Sequence, residues 1–259
     1  MTDTIDLTQS KQYTLSIRLS TDGFSFSVLN PTERAIPVVI DYPINESLSL
    51  TANLKQAFKE VKELTCSYRR VNLLLANRRF TFIPLEFFED EQCETVFYHN
   101  FPTRENETVL YNILHRNNIV VLFGMDKSAC NYLREQQPDI RFYAQASAFT
   151  EYFSAKSRLG NNRKIYVNLH KKAIDVYVFE RGQLLLANTF PCQTITDSIY
   201  YILYIWKQQG FDQERDELHF TGQLNEKKQL LSELRKYIRQ VFITTPATNL
   251  DFQAITSCE

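Results

Sequence analysis

Alternating apolar and polar positions near the start of the chain predict a β-hairpin and a third strand. Apolar side chains occupy every second position in Tyr13–Leu19 and again from Phe24 to Val28, which is the period of a strand with one buried face. The Asp22-Gly23 dipeptide between them is a frequent hairpin turn. Val38–Ile40, which follows a loop bounded by prolines, predicts the third strand.

A helical period comes next, followed by shorter apolar segments. Apolar residues recur at intervals of three and four between Ser47 and Leu64, and this predicts a helix with Ser47 or Ser49 as its N-cap. No element is predicted in the acidic, irregular stretch from Glu86 to Arg104. The other elements predicted in this half are strands at Val71–Leu75, Arg79–Leu85, Val120–Phe123 and Ile140–Tyr143, and helices at Lys127–Gln136 and Ala144–Arg158.

The second half of the sequence repeats the order of the first elements. Gly160-Asn161-Asn162 is a short polar break, so we predict a first half at residues 1–160 and a second at 161–259, hinged at this break. The predicted strands are Ile165–Leu169, Ala173–Phe179, Leu184–Phe190, Glu217–Thr221 and Gln240–Thr244, and the helices are Thr194–Gln209 and Glu226–Arg239. The repeat is one of element order, without residue-level identity between the halves.

Composition and charge narrow the classes of function. The chain has 29 basic and 30 acidic residues, so no overall field favours nucleic acid or an anionic membrane. Its longest apolar run, Ile199–Trp206, is far shorter than a membrane helix, and the polar segment Met1–Gln12 is unlike a secretory signal. The five cysteines lack C-x-x-C spacing and predict reduced thiols. We therefore expect a cytoplasmic α/β protein that binds neither nucleic acid nor a membrane.

Motifs for nucleotide or metal chemistry are missing from the sequence. It contains no G-x-x-x-x-G-K, G-x-G-x-x-G or H-E-x-x-H. The four histidines lack metal-ligand spacing, and we expect no metal site. Arginines at 69, 70, 78 and 79 form a basic cluster, but the acidic run Glu86–Glu94 nearby favours charge neutralisation over nucleic-acid binding. A hydrolase built on paired carboxylates stays open, because the sequence does not show which carboxylates meet.

Short segments in both halves carry a resemblance to a known family. The segments are Phe80–Phe88 (FTFIPLEFF), Leu186–Phe190 (LANTF), Asp197 with Tyr200-Tyr201, and His219–Gly222 (HFTG). They resemble a family of uncharacterised Bacteroidetes proteins with an actin-like ATPase fold. The order of elements is also similar to that of actin, heat-shock chaperones and sugar kinases, and to pilus and secretion proteins that use an actin-like domain as an assembly scaffold.

This resemblance implies a fold and no mechanism, because the family has no established activity. The implied fold is an actin-like ATPase fold of two ribonuclease-H-like halves, each with a mixed five-stranded sheet and flanking helices. Active members of that superfamily place a D-x-G turn at each of two hairpins, where glycine lets backbone amides approach phosphate and carboxylates position Mg²⁺. Here Arg18 and Asn168 occupy the expected carboxylate positions, and the second turn, His170-Lys171-Lys172, has no glycine.

These departures favour a protein without ATPase activity, although they leave open whether the chain is an enzyme. We identify no catalytic residue and expect no cofactor, with ATP and Mg²⁺ as an unexpected alternative. The weak ligand-binding candidates, expected in the cleft between the halves, are Thr21, Asp22, Gly23, Lys171, Lys172, Thr221 and Gly222.

The predicted helix Thr194–Gln209 is apolar around nearly its whole circumference. One stripe contains Ile195, Ile199, Ile202, Leu203 and Trp206, and the other side carries three tyrosines. Such a helix is expected to be buried on two sides, by the other half of the chain or by a partner. Since tyrosine and tryptophan are enriched at interaction hot spots, the candidate interaction residues are Tyr200, Tyr201, Tyr204 and Trp206. The sequence thus favours a non-catalytic binding or assembly module with a protein partner or self-association; the alternative is an ATPase or kinase with an unusual phosphate site.

Overall fold

The chain divides into two compact units, Met1–Ser147 and Ala148–Glu259. The structure, a computed structural model, describes residues 6–20, 23–30, 38–222, 228–244 and 249–258. The limit between the units falls inside a helix, ahead of residue 160. The domain boundary at residue 160 and the hinge at 160–162 stay predictions.

The first unit is built on a mixed five-stranded sheet. The strands of the whole unit are β1 (Thr14–Ser20), β2 (Gly23–Leu29), β3 (Val38–Tyr42), β4 (Arg70–Ala76), β5 (Phe80–Pro84), β6 (Glu107–Leu114), β7 (Ile119–Asp126) and β8 (Arg141–Ala144). The helices of the unit are α1 (Leu50–Glu60), α2 (Cys93–Asn100) and α3 (Lys127–Gln136). The main sheet has the order β3-β2-β1-β4-β8, in which β2 is antiparallel to its neighbours and β4 and β8 run parallel to β1. Leu15, Ile17 and Leu19 of β1 lie in its buried core, as the alternating pattern predicts.

The second unit repeats this strand order. Helix α4 (Gln145–Ser157) leads into β9 (Lys164–Leu169), β10 (Ala173–Glu180), β11 (Gln183–Pro191), α5 (Ile195–Gln208), β12 (Glu217–Gly222), α6 (Lys228–Leu234), β13 (Gln240–Ile243) and α7 (Leu250–Ala254). The sheet has the order β11-β10-β9-β12-β13, with β10 antiparallel to β9 and β11 and with β12 and β13 parallel to β9. When the strands of each five-stranded sheet are counted in chain order, both sheets have the order third, second, first, fourth, fifth. The predicted pair of mixed five-stranded sheets is therefore confirmed.

A three-stranded antiparallel sheet, β5-β7-β6, is inserted into the first unit between β4 and β8. The sequence pattern missed α2, which lies in the stretch predicted to be irregular, and it also missed β6. Five of the eight side chains of β6 are half-buried, so the strand lacks the contrast between a dry and a wet face that makes a period visible.

The side chain of Asn112 on β6 joins the insert to the edge of the main sheet. Its Nδ2 donates to the carbonyl of Phe142 on β8 (2.8 Å), and its Oδ1 accepts from the backbone N–H of Ala144 (2.9 Å). The hydroxyl of Ser147 donates to the same oxygen (2.8 Å). One amide group thus takes the place of a neighbouring strand along β8.

Helix boundaries differ from the predictions where the backbone changes its hydrogen bonding. Ser49 caps α1 as predicted, but the helix ends at Glu60 rather than Leu64, because Val61 is extended and a 3-10 turn follows. Helix α6 ends at Leu234 rather than Arg239, and residues 226 and 227 of that prediction lie outside the described part of the chain. Helix α7 was not predicted. Among the described residues, no helix has both the length and the apolar character that crossing a bilayer demands.

A buried ion pair holds the insert together. Nε and one terminal nitrogen of Arg79 donate to the two carboxylate oxygens of Glu107 at 2.7 and 2.6 Å. The guanidinium carbon also lies 5.5 and 5.1 Å from the ring centroids of Phe97 and Phe101. A Cβ atom at position 124 would collide with the Glu107 carboxylate, which explains the glycine there.

We expect Glu107→Ala to lower the free energy of unfolding by about 3–5 kcal/mol, because it strands a buried guanidinium without its partner. Chemical denaturation followed by circular dichroism measures this change. The matched control is Glu214→Ala, which breaks an ion pair to Arg239 whose side chains are 68% and 71% exposed, and it should change stability little. Equal effects of the two substitutions would contradict the structural role of the Arg79–Glu107 pair.

Candidate functional site

The carboxyl ends of two parallel strands of the second unit lie side by side. Thr221 pairs with Asn168 and Gly222 pairs with Leu169 in the register of β12 against β9. The two-residue turn Lys171-Lys172 follows shortly after β9 and leads into β10. The structure therefore brings the predicted residues Lys171, Lys172, Thr221 and Gly222 to the same edge of one sheet.

Gly23, the predicted residue of the first unit that the structure describes, begins strand β2. Gly23 pairs with Ser20 and has a φ of 147°. A Cβ atom at Gly23 would lie 3.4 Å from the carbonyl oxygen of Tyr42. Thr21 and Asp22 lie outside the described residues. A ligand site in a cleft between the two halves stays a prediction.

A buried carboxylate, that of Asp175 on β10, organises the hairpin of the second unit. Its Oδ2 accepts a hydrogen bond from Nδ2 of Asn168 (3.1 Å) and lies 2.5 Å from Nε2 of His170. Its Oδ1 accepts from the hydroxyl of Thr189 on β11 (2.8 Å). Asp175 is only 4% exposed, so both of its oxygens are held by protein groups from three neighbouring segments.

The environment keeps this carboxylate ionised. Burial opposes ionisation of Asp175, but the neighbouring His170 and the hydrogen bonds from His170, Thr189 and Asn168 outweigh it and hold the pKa of Asp175 below its usual value. Asn168, at the position where the resemblance implies a carboxylate, donates a hydrogen bond to Asp175. The hairpin thus contains a fixed negative charge whose partners are already in place.

The turn itself is closed by its own backbone. The N–H of His170 donates to the carbonyl of Ala173, and the N–H of Cys192 donates to the carbonyl of Lys172, both at 3.0 Å. The side chains of Lys171 and Lys172 are exposed. This turn therefore presents two cationic side chains, and the His170 amide is used within the hairpin.

Gly222 is required by packing at the end of β12. Its φ is 87°, and a Cβ atom there would collide with the carbonyl oxygen of Leu169 and would lie 2.6 Å from Oδ1 of Asn168. The strand ends approach too closely for any side chain at this position. The close packing of β12 against β9 therefore explains the glycine at position 222 without a ligand.

Helix α5 places the candidate interaction residues on two different faces. Trp206 is 3% exposed and packs against Phe211, with ring centroids 5.0 Å apart. Tyr201 stacks on Phe190 at 4.7 Å. Tyr200 and Tyr204 are 61% and 51% exposed and stack on each other at 5.9 Å. These two rings are exposed in the single chain, and burial of α5 on two sides, by the other half of the chain or by a partner, stays a prediction.

Sequence reasoning missed the Asp175–His170 pair. The available signal was a lone carboxylate inside the apolar strand Ala173–Phe179, because an aspartate at such a position needs a partner. Antiparallel pairing places Asp175 opposite Asn168, but that register is visible only in the folded sheet. Within the described residues, no group of three or more histidine, cysteine or carboxylate side chains has the arrangement of a metal site.

Comparison with known proteins gives a family and a fold. Residues 2–241 match the family described as protein of unknown function (DUF3822). A crystal structure from Bacteroides thetaiotaomicron VPI-5482, described as a protein with actin-like ATPase fold and unknown function, is 58% identical, covers 99% of this chain and 100% of its own, and has a TM-score of 0.93. No curated protein matches the sequence.

A more distant structural neighbour is the PilM-PilN type IV pilus biogenesis complex. The match covers 93% of this chain and 89% of the other, at 12% identity and a TM-score of 0.58. At that identity the similarity concerns the fold alone. The actin-like ATPase fold implied by the sequence resemblance is therefore confirmed.

Two glycines at the ends of helix α5 and strand β12 allow a matched test of the packing at Gly222. We expect Gly210→Ala to cost about 1–2 kcal/mol, because its φ of 62° is left-handed but nothing lies within 4 Å of an added Cβ. Gly222→Ala should cost about 1–3 kcal/mol more, because it adds a steric overlap to the same kind of backbone strain. Urea denaturation of both variants measures the difference, and equal losses would contradict the close approach of β12 to β9.

The Asp175 network also predicts a pH dependence of stability. The pKa of Asp175 is lowered in the folded state, so ionisation of this group stabilises the protein above the unfolded pKa of about 3.9, and this stabilisation is lost as the pH falls through the lower folded pKa. We expect the unfolding free energy of Asp175→Asn to fall less steeply below about pH 4 than that of the wild type. Thr189→Val is the control, because it removes one hydrogen bond and keeps the carboxylate. Parallel pH curves for wild type and Asp175→Asn would refute the assignment.

Proposed function

The chain belongs to the DUF3822 family of proteins of unknown function, and from this premise we propose that it is a non-catalytic actin-like protein that acts as a binding or assembly module. The proposal includes a cytoplasmic location, a protein partner or self-association, and no binding of nucleic acid. It also includes the absence of a resident nucleotide.

The observation that carries this proposal is the internal pairing of Asp175. A nucleotide-hydrolysing site needs carboxylates and amide donors that face the phosphates and Mg²⁺. Here Asn168, His170 and Thr189 all turn toward Asp175.

The shape of the backbone supports the same conclusion. Phosphate-binding turns use glycine so that several amide groups can approach one anion. The second hairpin has side chains at His170, Lys171 and Lys172 instead. The left-handed backbone at Gly222 lies close to Leu169, where no side chain fits. The packing of the strand pair therefore explains this glycine.

The surface of α5 supports the binding part of the proposal. Tyr200 and Tyr204 stack on each other and remain exposed, and tyrosine rings contribute large contact areas with little loss of side-chain entropy. PilM, a protein of the same fold, occurs with PilN in a pilus biogenesis complex, as the name of that structure states. This precedent makes an assembly role compatible with the fold.

An ATPase or kinase with an unusual phosphate site is the second candidate. The observation in its favour is the position of Lys171 and Lys172, exposed cations at the edge where β9 and β12 end. Ammonium groups at such an edge attract anions, but a pair of flexible lysines gives little selectivity for a nucleotide.

Isothermal titration with ATP and Mg²⁺, followed by a phosphate-release assay, tests the proposal. We expect no tight binding and no turnover, because the groups that would position the metal are paired elsewhere. The double variant Lys171→Ala/Lys172→Ala is the matched control, and any weak anion binding should disappear in it. Micromolar ATP binding with turnover that is lost in Asp22→Ala would reject the proposal in favour of the enzyme.

A further inference from the structure

The three-stranded insert of the first unit carries an aromatic ring that the chain leaves largely uncovered. Phe87 is 70% exposed, the largest exposed fraction of any large apolar side chain in the described part of the chain. It ends the 3-10 turn Leu85–Phe87, which follows β5. The N–H of Leu85 donates to the carbonyl of Asn118 (2.9 Å), and the N–H of Phe88 donates to the carbonyl of Leu85 (3.2 Å). Backbone hydrogen bonds therefore hold the turn that exposes this ring.

Three further apolar side chains extend this surface. Phe88, the next residue in the chain, packs against Tyr111 of β6 with ring centroids 5.0 Å apart. Tyr111 and Ile113 lie on the same face of β6, because side chains two positions apart in a strand point the same way, and both are exposed. We call Phe87, Phe88, Tyr111 and Ile113 the insert patch. Exposed apolar patches with polar surroundings are typical of interaction sites.

The insert patch is bordered by negative charge. No lysine, arginine or histidine occurs between Phe80 and Tyr98. This segment contains five exposed carboxylates, those of Glu86, Glu89, Asp90, Glu91 and Glu94. Asp90 lies near Tyr111, and its charge is the main cause that raises the pKa of the Tyr111 hydroxyl. The acidic segment therefore borders the apolar side chains in space as well as in sequence.

The described part of the chain does not neutralise this charge. Among the residues that the structure describes, none of the five carboxylates forms an ion pair with a basic side chain. Arg79, which directly precedes the segment, donates to Glu107 instead. The insert patch thus combines exposed aromatic rings with carboxylates that have no cationic partner in the described chain.

We propose that the insert patch binds a basic segment of a partner protein, in which arginine or lysine alternates with apolar side chains. Interfaces between proteins combine an apolar core with a polar rim. Guanidinium groups pair with carboxylates and also stack on aromatic rings, so arginine suits both parts of this surface. The inference rests on the proposed binding module, and it names one surface of that module and the charge of its partner.

The charge favours this occupant over two others. A second copy of the same patch would bring two sets of carboxylates together, and like charges across an interface oppose association. Nucleic acids and anionic membranes carry phosphate groups, which the carboxylates repel. A basic polypeptide is the occupant whose charge is complementary to the insert patch.

The insert is an addition to the repeated architecture of the two units. The first unit places β5, α2, β6 and β7 between the fourth and fifth strands of its main sheet. The described residues between β12 and β13 of the second unit form α6 and no strand. Because the second sheet has the same order without such an insert, the sheet order does not require it. A binding role gives this added element a function.

Synthetic peptides test the charge and the apolar requirement separately. The probe is a twelve-residue peptide that alternates arginine and leucine, labelled for fluorescence anisotropy and titrated with the full chain. The controls alternate glutamate with leucine and arginine with serine. We expect saturable binding of the arginine-leucine peptide, about fivefold weaker binding of the arginine-serine peptide because apolar contacts are lost, and no binding of the glutamate-leucine peptide. No binding of the arginine-leucine peptide, or equal binding of either control, would overturn the proposal.

Phe87→Ala locates the binding site. Because the ring is exposed, the variant should keep the stability of the wild type, and the arginine-leucine peptide should bind about tenfold more weakly for loss of an aromatic contact. Leu159→Ala is the matched control, since Leu159 is 68% exposed in the second unit, and it should bind normally. Wild-type affinity in Phe87→Ala would overturn the insert patch and leave the binding module intact, because the tyrosines of α5 support that module independently.

Charge reversal tests the carboxylates. Glu86→Lys should weaken binding of the arginine-leucine peptide about fivefold, because it replaces an attraction by a repulsion beside Phe87. Glu180→Lys changes the net charge by the same amount at an exposed position of the second unit, and it should bind normally. Equal losses in the two variants would show that the peptide responds only to the net charge and would overturn the proposal.

The insert patch and the non-catalytic function can also fail separately. Weaker peptide binding in Phe87→Ala together with ATP turnover by the wild type would support the patch and reject the non-catalytic function. Self-association measured by analytical ultracentrifugation and lost in Phe87→Ala would identify a second copy of the chain as the occupant, and it would overturn the basic partner.

Discussion

The hairpin of the second unit depends on one buried carboxylate, that of Asp175, which requires hydrogen-bond donors from the protein. Asp175 lies in the middle of an apolar strand, where an ionised group is stable only if protein dipoles and charges replace water. Asn168, His170 and Thr189 supply these interactions from β9, the turn and β11. Their side chains are thereby fixed toward the hairpin interior. The same network therefore stabilises the strand pair and engages these three side chains within the hairpin.

The two units share one topology but differ in the side chains that it places at the ends of their strands. Both sheets have the same strand order, and that order brings the carboxyl ends of the central parallel strands to one edge, where ligands often bind in α/β proteins. Whether such an edge becomes an active site depends on the side chains placed there. In the second unit the edge carries a closed hydrogen-bond network and two exposed lysines, while the aromatic surface lies on α5.

The sequence predicted those parts of the fold whose signals are local. The hairpins and α1 have clear periods, and Ser49 caps α1 as expected. Strand β6 escaped detection because most of its side chains are half-buried on both faces of the insert. Among the candidate residues, the edge position of Lys171 and Gly222 follows from strand order. The Asp175 network depends on the register in which β10 pairs with β9 and β11, which the alternating pattern of a single strand does not encode.

The side chain of Asn112 has a consequence for behaviour at high concentration. Strand β8 is the last strand of the main sheet in the first unit, and an unprotected last strand offers its N–H and carbonyl groups to any extended chain nearby. Asn112 occupies the carbonyl of Phe142 and the N–H of Ala144. A single amide thus takes up two of the backbone groups through which a neighbouring chain would begin to extend the sheet, a contact that high concentration favours.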